Sequence, residues 1–568
     1  MRKKSTRPSL IALLFREAPL LLGGAVALGA AAGVLYSLTI PAILHQLDRP
    51  TSIGRLPGHP WIASYFAICA GILLCKGVSI VTVNNVAKSA AARLRIDLAA
   101  KINRMTIEAV ERSGFAQLTT LLTEDVNHVS AAAVAIPTLL VSGVTVAGML
   151  VYLAILSPPA FLCTLAAIAA GVCMFQLLSV FAARLYGRAR TLRDAVQEGL
   201  RGLVMGAYEL KLSPEKSRDF LARELASPER QSAHLEKSAD AIIHFAGTGS
   251  ELLSFFTIGM VVFVLPDYLP VDTKQNIGIA MALLYIAGPV AAIVGMMRHF
   301  ELGSVALRRI AALLEQDEEN IGDGACDATI ADAGFGPLAS YVMEQACYRY
   351  PAEAGAESEA FALAPTSLEF APGQIHFIVG GNGSGKTTLC KLLSLHYLPA
   401  AGRVRMNGVP VDAANIRAAR AHIAVIYSKY HLFGRLHRAP APGDEERVAA
   451  HLASLGLDGK TRFADGCFST VALSDGQRRR LALAVALMED KDIYIFDEWA
   501  ADQDPEFKRL FYENILPGLK RDRKLVIAIT HDDRYFHCAD RLIRMEDGKL
   551  IRVEEMRAAA APLRKAAS

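Results

Sequence analysis

Long apolar stretches dominate the first half of the chain and have the length that membrane crossing requires. A helix needs about 20 apolar residues to cross the hydrocarbon core of a bilayer. Six stretches reach this length with at most one charged residue each, and the pattern therefore predicts six transmembrane helices. The predicted spans are residues 18–44, 61–85, 131–156, 159–183, 241–265 and 277–299.

The distribution of basic residues predicts the orientation of these spans, because cytoplasmic segments retain Lys and Arg. Residues 86–130 and 184–240 contain about six and about eleven basic residues, against one to three in residues 45–60 and 266–276. Both termini are therefore predicted to face the cytoplasm. The basic amino terminus also fits a signal peptide, but five further spans favour an uncleaved first helix.

The two basic segments are longer than a turn between helices requires. Their apolar residues recur at helical spacing in residues 89–111 and 191–223. Helices are therefore predicted to continue well beyond the bilayer into the cytoplasm.

A change of composition separates the membrane-spanning part from a second domain. Residues 316–338 are rich in Gly, Ala and Asp and lack apolar periodicity, as linkers do. Short apolar strands then alternate with helical stretches after residues 386, 474 and 505, which predicts an α/β domain. The predicted strands are residues 341–350, 374–380, 423–427, 492–497 and 524–530. The predicted division is 1–315 for the membrane domain, 316–338 for the linker, 339–555 for the α/β domain and 556–568 for a tail.

A glycine-rich segment follows the apolar strand IHFIV and precedes a helical stretch. It reads GGNGSGKTT over residues 380–388 and matches the phosphate-loop pattern G-x-x-x-x-G-K-[S/T]. Glycines let successive amide groups and the helix start surround phosphate oxygens, while the lysine meets the β- and γ-phosphates. The segment predicts binding of ATP and Mg²⁺, with Thr387 as a metal ligand. The predicted ATP contacts are Gly380, Asn382, Gly383, Ser384, Gly385, Lys386, Thr387 and Thr388.

Two adjacent carboxylates follow the apolar residues 493–496. Asp497 is predicted to bind magnesium, and Glu498 is predicted to polarise the attacking water. If the strand continues through both, their side chains point in opposite directions. Paired acids at a strand end are usually solvated surface groups when they occur alone, but the upstream phosphate loop favours the functional interpretation.

Between these motifs, residues 473–477 read LSDGQ and precede the helical run RRRLALAVALMED. This segment resembles the LSGGQ-like signature of ABC transporters, and the two long cytoplasmic extensions resemble the arrangement of ABC exporters. The resemblance implies an all-α six-helix transmembrane domain of the ABC exporter type fused to an α/β phosphate-loop ATPase domain. It also implies contacts of the cytoplasmic extensions with the ATPase near residues 114–118 and 205–212.

In that family the signature of one subunit closes on the γ-phosphate held by the opposite subunit, which the dipole of the following helix favours. One complete set of motifs per chain therefore implies a homodimer. Tyr350 resembles the aromatic residue that stacks on adenine, and His531 resembles the switch histidine near the γ-phosphate. The other nucleotide contacts that the resemblance implies are Ser474, Gly476, Gln477 and Asp504.

A more specific resemblance extends over most of the chain. The phrases FSTVALSDGQRRRLALAVAL, DEWAADQDP and THDDRYFHCADR are similar to bacterial cyclic-peptide and siderophore exporters of the syringomycin and pyoverdine type. Residues 501–504 read ADQD where ordinary ABC exporters have a Ser-Ala-Leu-Asp-like D-loop. Ser428 stands where ordinary ABC exporters have a magnesium-binding glutamine. Its side chain is shorter than that of glutamine, which puts direct contact with the metal in doubt.

Composition agrees with membrane residence. Hydrophobic residues make up 52% of the chain, charged residues make up 20%, and the mean hydropathy is +0.29. A net charge of +4 is small for 568 residues and gives no support for a nucleic-acid partner. The nine cysteines are scattered without a C-x-x-C pair, which favours packing thiols over zinc or disulfides.

Charged residues inside the predicted spans are candidates for cargo binding, because each costs about 2.5 to 3.5 kcal/mol at the bilayer centre. Lys76 and Glu251 are the two candidates, and each would bind an opposite charge on a peptide or siderophore. The alternative is that they pair with each other or reach towards water.

The sequence thus predicts ATP-driven export of a peptide-like secondary metabolite, a cyclic peptide or a siderophore, across the bacterial cytoplasmic (inner) membrane. The expected partners are a second copy of the chain, the lipid bilayer and the cargo. Two alternatives stay open. One is a siderophore importer with an exporter-like fold, and the other is a membrane ATPase that regulates without transport.

Overall fold

The computed structural model describes residues 18–47, 60–264, 273–316, 335–350, 361–438 and 441–556. These residues form two compact units. The helical unit contains the described residues up to Lys101 and from Phe115 to Gln316, and the α/β unit contains Ile102–Gly114 and the residues after 316. Most of the predicted linker, the basic amino terminus and the predicted tail after residue 556 lie outside the described residues.

Ten helices lie between residues 19 and 314 of the described chain, and all but the third belong mainly to the helical unit. They are α1 (Pro19–Leu47), α2 (Pro60–Arg104), α3 (Ile107–Ser113), α4 (Phe115–Thr120), α5 (Val126–Leu156), α6 (Pro158–Met205), α7 (Ala207–Leu212), α8 (Pro214–Phe220), α9 (Ser227–Gly259) and α10 (Thr273–Leu314). The start of α6 shows how the sequence begins a helix. Ser157 accepts a hydrogen bond from the amide of Ala160, and prolines occupy the first turn, where they are tolerated.

Within the residues that the structure describes, five helices are long and apolar enough to cross a membrane. They contain the first four predicted spans and the sixth. The fifth predicted span lies in α9, which continues through a π-helical turn at Met260–Val264, and its described apolar part is the shorter Phe255–Val264. Large apolar side chains on these helices are exposed, among them Leu20, Leu73 and Ile155. Surface of this kind fits contact with lipid, and the chain is a multi-pass membrane protein.

The helical extensions are interrupted where the sequence predicted continuous helices. The predicted helix 89–111 is split, because α2 ends at Arg104 and Thr106 caps α3 by accepting from the amide of Ala109. The predicted helix 191–223 is also split, with α6 ending before Gly206 and α8 starting after a cap at Ser213. Capping side chains offer the backbone hydrogen bonds that a continuing helix would supply, so the apolar period persists while the helix breaks.

Small residues allow close packing in the helical unit. Helices α1 and α10 pack along α5, and α9 packs along α6. A Cβ atom on Gly33 would lie 2.6 Å from the Cβ of Val144, and one on Gly303 would lie 2.6 Å from the Cβ of Ala132. Glycine at both positions is therefore required for the helices to approach this closely, as is usual between membrane helices.

The α/β unit is built on two main sheets. One sheet has the strand order β12-β11-β3-β10-β9-β6, parallel except for β12, and the other is antiparallel with the order β2-β1-β4-β5. The strands are β1 (Tyr341–Arg349), β2 (Ala362–Phe370), β3 (Ile375–Gly380), β4 (Ala401–Met406), β5 (Val409–Pro410), β6 (Ile423–Ile426), β7 (Phe463–Ala464), β8 (Cys467–Phe468), β9 (Ile493–Asp497), β10 (Leu525–Ile529), β11 (Arg541–Glu546) and β12 (Lys549–Glu555). The helices are α11 (Lys386–Leu393), α12 (Ile416–Arg420), α13 (Asp444–Ser454), α14 (Asp475–Met488), α15 (Pro505–Arg509) and α16 (Leu516–Arg521). The predicted combination of membrane helices and an α/β domain is confirmed.

The parallel sheet determines where the chemistry lies. Strands β9 and β10 are buried along their whole length and pair side by side, and β10 also pairs with β3. The carboxyl ends of parallel strands meet at one edge of a sheet, which is where α/β proteins bind ligands. Residue 380, residues 497–498 and residues 530–531 lie at or directly after these three ends and are therefore brought together.

The buried His376 and the half-buried His396 are expected to make the stability of the α/β unit depend on pH. Burial, with Arg541 adding to it and Asp540 opposing it, lowers the pKa of His376 to about 4, and burial likewise lowers the pKa of His396 to about 4. An unfolded histidine titrates near 6.5, so between these values the unfolded chain binds more protons than the folded chain. The free energy of unfolding should therefore fall as pH drops from 6.5 to 4, by up to about 1.4 kcal/mol per pH unit for each histidine.

The measurement is the thermal unfolding midpoint of the detergent-solubilised protein at pH 7.5 and at pH 5. His376→Leu keeps a side chain of similar bulk in the core and should reduce the difference between the two midpoints. An unchanged difference in that variant would show that His376 is not responsible.

Candidate functional site

The phosphate loop joins β3 to α11 and depends on glycine for its backbone conformation. Gly383 and Gly385 have φ values of 79° and 94°, which residues with a Cβ rarely adopt. A Cβ atom on Gly385 would also lie 2.9 Å from the ring of Phe361. The loop therefore fixes its curvature through glycine, and a Cβ atom on Gly381 or Gly383 would have no neighbour within 4 Å.

Two polar side chains of the loop are buried and directed into it. The ammonium group of Lys386 donates to the carbonyls of Gly380 at 3.0 Å and Gly381 at 2.8 Å. Burial lowers the pKa of Lys386, while Glu498 and Asp497 raise it. The hydroxyl of Ser384 is buried and has no hydrogen-bond partner within the described part of the chain. An unpartnered buried hydroxyl beside a lysine fits an anionic ligand such as a phosphate group.

Asp497 ends β9 with its carboxylate buried, and burial raises its pKa. The hydroxyl of Ser428 lies 3.4 Å from this carboxylate, so the structure brings together two of the predicted metal-site residues. Thr387, at the start of α11, is exposed. Within the described residues no three His, Cys, Asp or Glu side chains cluster as a metal site. A magnesium ion held by one or two protein oxygens plus phosphate oxygens and water fits this donor set.

Glu498 and His531 are hydrogen-bonded neighbours. The Nε2 atom of His531 lies 3.1 Å from the Oε1 atom of Glu498, and both side chains are partly exposed. The condition under which the two carboxylates would point in opposite directions is not met, because β9 ends at Asp497 and Glu498 has a φ of 54°. The left-handed conformation turns the Glu498 side chain towards His531 and places a carboxylate and an imidazole at the same edge.

The signature residues form the start of α14. Ser474 and Gln477 form a reciprocal pair of hydrogen bonds at this helix start. The Ser474 hydroxyl accepts from the backbone amide of Gln477, and the Gln477 side-chain oxygen accepts from the backbone amide of Ser474. The carbonyl of Gly476 accepts from the side chain of Gln503 at 3.1 Å. Ser474 is exposed, and across the described ranges none of these residues has a hydrogen bond to residues 380–388.

Tyr350 belongs to an aromatic cluster next to α11. Its hydroxyl lies 3.3 Å from the hydroxyl of Thr388. Its ring packs edge-on against Tyr348 and Tyr397, which stack on each other with centroids 4.5 Å apart. The cluster thus lies next to the helix that follows the phosphate loop, and the predicted contact of Tyr350 with adenine stays a prediction.

Asp504 has a structural role in this chain. Its carboxylate accepts from the amides of Glu506 and Phe507 and caps α15. These two are the hydrogen bonds of the Asp504 carboxylate within the described residues. The predicted contact of Asp504 with nucleotide stays a prediction.

One acidic side chain, that of Glu111, joins α3 to the rest of the α/β unit and was not predicted from the sequence. Glu111 forms an ion pair with Lys391 at 2.9 Å and accepts a hydrogen bond from the Tyr397 hydroxyl. The sequence predicted a contact with the ATPase near residues 114–118. The segment that belongs to the α/β unit ends at Gly114, where that predicted range begins. A glutamate in a short capped helix carries no pattern that distinguishes it from a solvated charge.

The profile of the ABC transporter family matches residues 363–501, and that of the ABC transporter transmembrane region matches residues 20–196. The chain is 32% identical over 558 residues to the ATP-binding protein SyrD of Pseudomonas syringae pv. syringae, covering 89% of this chain and 96% of that protein. The chain is an ABC exporter half-transporter. As a member of this family it is an ATP-hydrolysing translocase.

Two further similarities agree with this assignment of the exporter. It is 30% identical over 281 residues to the ATP-dependent lipid A-core flippase of Chromobacterium violaceum, covering 47% of the exporter and 46% of the flippase. A solved structure described as a bacterial Atm1-family ABC exporter with ATP bound has the same fold, with a TM-score of 0.73 and 16% identity over 95% of both chains. The predicted ABC exporter fold and ATPase activity are confirmed.

Proposed function

We propose that two copies of the exporter bind ATP between their α/β units and move a peptide-like secondary metabolite out of the cytoplasm. One observation supports the proposal that two chains pair. The phosphate loop, Asp497, Glu498 and His531 gather at one sheet edge, whereas the exposed Ser474 at the start of α14 makes no described hydrogen bond to that loop. A helix start with an exposed hydroxyl suits the phosphate of a second copy.

Each residue near the phosphate loop has a proposed role. Lys386 and the Ser384 hydroxyl would bind phosphate oxygens, and Tyr350 would stack on adenine. Magnesium, when bound by Thr387 and Asp497 with Ser428 beside them, would supply positive charge to the phosphates. Glu498 would orient the attacking water and accept its proton, and His531, 3.1 Å from Glu498, would hold that carboxylate and approach the γ-phosphate.

The second copy would contribute the remaining groups. Ser474, Gly476 and Gln477 would reach the γ-phosphate held by the first copy, where the positive end of the α14 dipole favours negative charge. Closure of the paired units would then pass to the membrane helices through the short helix α3, which Glu111 binds to Lys391. Alternating access of this kind needs only that ATP binds the closed state more tightly than the open state.

The basic cytoplasmic segments support insertion in the bacterial inner membrane with both termini in the cytoplasm. Export is the favoured direction because the chain belongs to the exporters. A siderophore importer and a regulatory ATPase without transport are outcomes that the flux measurement below distinguishes.

The region around Lys76 is the proposed cargo contact. The Lys76 ammonium lies 3.5 Å from the Tyr36 hydroxyl and 5.3 Å from the centre of its ring, and that ring lies 6.4 Å from Tyr285. The cluster joins α1, α2 and α10 and combines one positive charge with two aromatic rings, which suits a peptide with acidic and aromatic groups. Glu251 lies in α9, and its side chain is outside the described residues.

The test is cargo-stimulated ATP hydrolysis and uptake in sided proteoliposomes. A panel of cyclic lipopeptides and siderophores should include at least one compound that stimulates hydrolysis about twofold or more and moves with ATP in one direction only. Lys76→Met should weaken the stimulation by an acidic peptide about tenfold, whereas Lys88→Met, an exposed lysine on the same helix, should not.

Absence of stimulation by every compound would contradict the proposed cargo class. Movement in the opposite direction would identify an importer, and stimulation without flux would identify a regulator. Equal effects of Lys76→Met and Lys88→Met would remove Lys76 from the cargo site and favour its aromatic pairing with Tyr36 as structural.

A further inference from the structure

Arg479, in the second turn of α14, contacts the catalytic edge of its own chain. Its guanidinium donates to the carbonyl of Glu498 at 2.7 Å and to the carbonyl of Trp499 at 3.3 Å. It also forms an ion pair with Asp502 at 2.6 Å. The Arg479 side chain is only 13% exposed while that of Asp502 is 59% exposed, so the arginine lies beneath the segment that it holds.

The contact with Glu498 matters because this residue has a strained backbone. A φ of 54° is uncommon in a residue with a Cβ and persists only where neighbours hold it. The Glu498 amide donates to the carbonyl of Ile529 at 3.2 Å, and its carbonyl accepts from Arg479. The Glu498 carbonyl also accepts from the amide of Ala501 at 3.2 Å, so hydrogen bonds from β10, from α14 and from residue 501 hold the peptide groups of Glu498.

Two further hydrogen bonds join the same segment to α14. The indole of Trp499 donates to the carbonyl of Arg479 at 2.9 Å, and the Gln503 side chain donates to the carbonyl of Gly476 at 3.1 Å. Trp499 is 2% exposed and stacks on Phe511 with centroids 4.4 Å apart. The start of α14 is thus joined to four residues of the segment 498–503, namely Glu498, Trp499, Asp502 and Gln503, and we expect the two to move together.

From this geometry we infer that Arg479 is a positioning residue that fixes Glu498 to the signature helix of the same chain. The inference rests on the proposed pairing of two copies. In that arrangement Ser474 and Gly476 bind the phosphate held by the second copy. Because Arg479 joins α14 to Glu498, nucleotide binding at the second copy's phosphate loop would affect the orientation of Glu498 at the first copy's phosphate loop. The D-loop sequence ADQD, unusual for an ABC exporter, supplies two of the linking side chains, Asp502 and Gln503.

An arginine is needed at this position because its planar fork donates in two directions at once. One side binds the backbone carbonyls and the other binds the Asp502 carboxylate. Lysine has a single charged nitrogen and would retain part of the contact. The neighbouring Arg478 is a matched control, since it lies 3.8 Å from an Asp475 side chain that is 91% exposed.

The experiment measures ATP hydrolysis without cargo, the affinity for ATP and the Hill coefficient of full-length variants in detergent or nanodiscs. Arg479→Gln should lower kcat on the order of 30-fold, as loss of a charge-assisted hydrogen bond predicts, while the Kd for ATP stays within about twofold. It should also bring the Hill coefficient close to one. Arg479→Lys should recover part of kcat, Asp502→Asn should lose less than Arg479→Gln, and Arg478→Gln should match the wild type.

A double-variant measurement separates positioning of Glu498 from general damage. In a Glu498→Gln background the group to be positioned is already absent, so adding Arg479→Gln should change the residual rate by less than about twofold. A further drop as large as in the wild-type background would overturn the inference, as would an unchanged kcat in Arg479→Gln or a parallel loss of ATP affinity. Failure of the paired arrangement would instead show in the wild type, as hydrolysis without cooperativity at any protein concentration.

Discussion

Replacing Glu498 with Gln is expected to stop turnover of ATP while leaving ATP bound. The amide keeps the shape of the side chain but cannot accept a proton from the attacking water, and removal of a general base typically costs about 10²-fold to 10⁴-fold in rate. Nucleotide binding depends on other groups, chiefly the phosphate loop. The measurement is kcat for phosphate release together with the Kd for ATP.

The matched control for this variant is Glu506→Gln, because Glu506 is exposed on α15 close in sequence. It should hydrolyse ATP at the wild-type rate. A Glu498→Gln protein that retains a rate within tenfold of the wild type would show that another group, such as His531, takes the proton.

Replacing Lys386 with Met should remove ATP binding itself. The methionine keeps the aliphatic stem but loses the ammonium group, which is buried and held by the carbonyls of Gly380 and Gly381. Hydrogen bonds to a charged group contribute about 1.5 to 3 kcal/mol each, so the affinity for ATP should fall roughly 100-fold or more. Equilibrium binding of a fluorescent ATP analogue measures the loss.

Lys429→Met serves as the control, since Lys429 is exposed beside Ser428. It should bind ATP with wild-type affinity. Hydrolysis should fall together with affinity in Lys386→Met, in contrast to Glu498→Gln, where affinity persists. Wild-type affinity in Lys386→Met would contradict the assignment of residues 380–388 as the ATP site.

The two variants together distinguish binding from chemistry at one sheet edge. Lys386 acts on phosphate groups that are present before and after hydrolysis, whereas Glu498 acts only while water attacks. Arg479 touches neither the water nor the phosphate in the proposed arrangement. Its effect is expected on kcat alone and only while Glu498 is present.

Four of the five parallel strands in the described residues were predictable, because each is a short buried apolar run next to a recognisable motif. Strands β3, β6, β9 and β10 begin and end within about two residues of the prediction. The antiparallel strands β2, β4 and β12 were not predicted, and neither was β11, which pairs in parallel with β3 and antiparallel with β12. Their apolar residues alternate only partly, since one face is exposed and bulges interrupt the β1–β2 and β11–β12 pairings.

Sequence alone determined the apolar spans, the phosphate loop, the carboxylate pair and the signature, because each of these is a local pattern with a direct physical cause. Glycines permit left-handed turns, and apolar runs of sufficient length select the bilayer. Only the tertiary structure decided which distant groups meet. Arg479 holds Glu498 across 19 residues and Glu111 holds Lys391 across 280 residues, and neither pair has a sequence pattern. Such contacts depend on how whole elements pack, since a single charged residue is compatible with a solvated surface until packing gives it a partner.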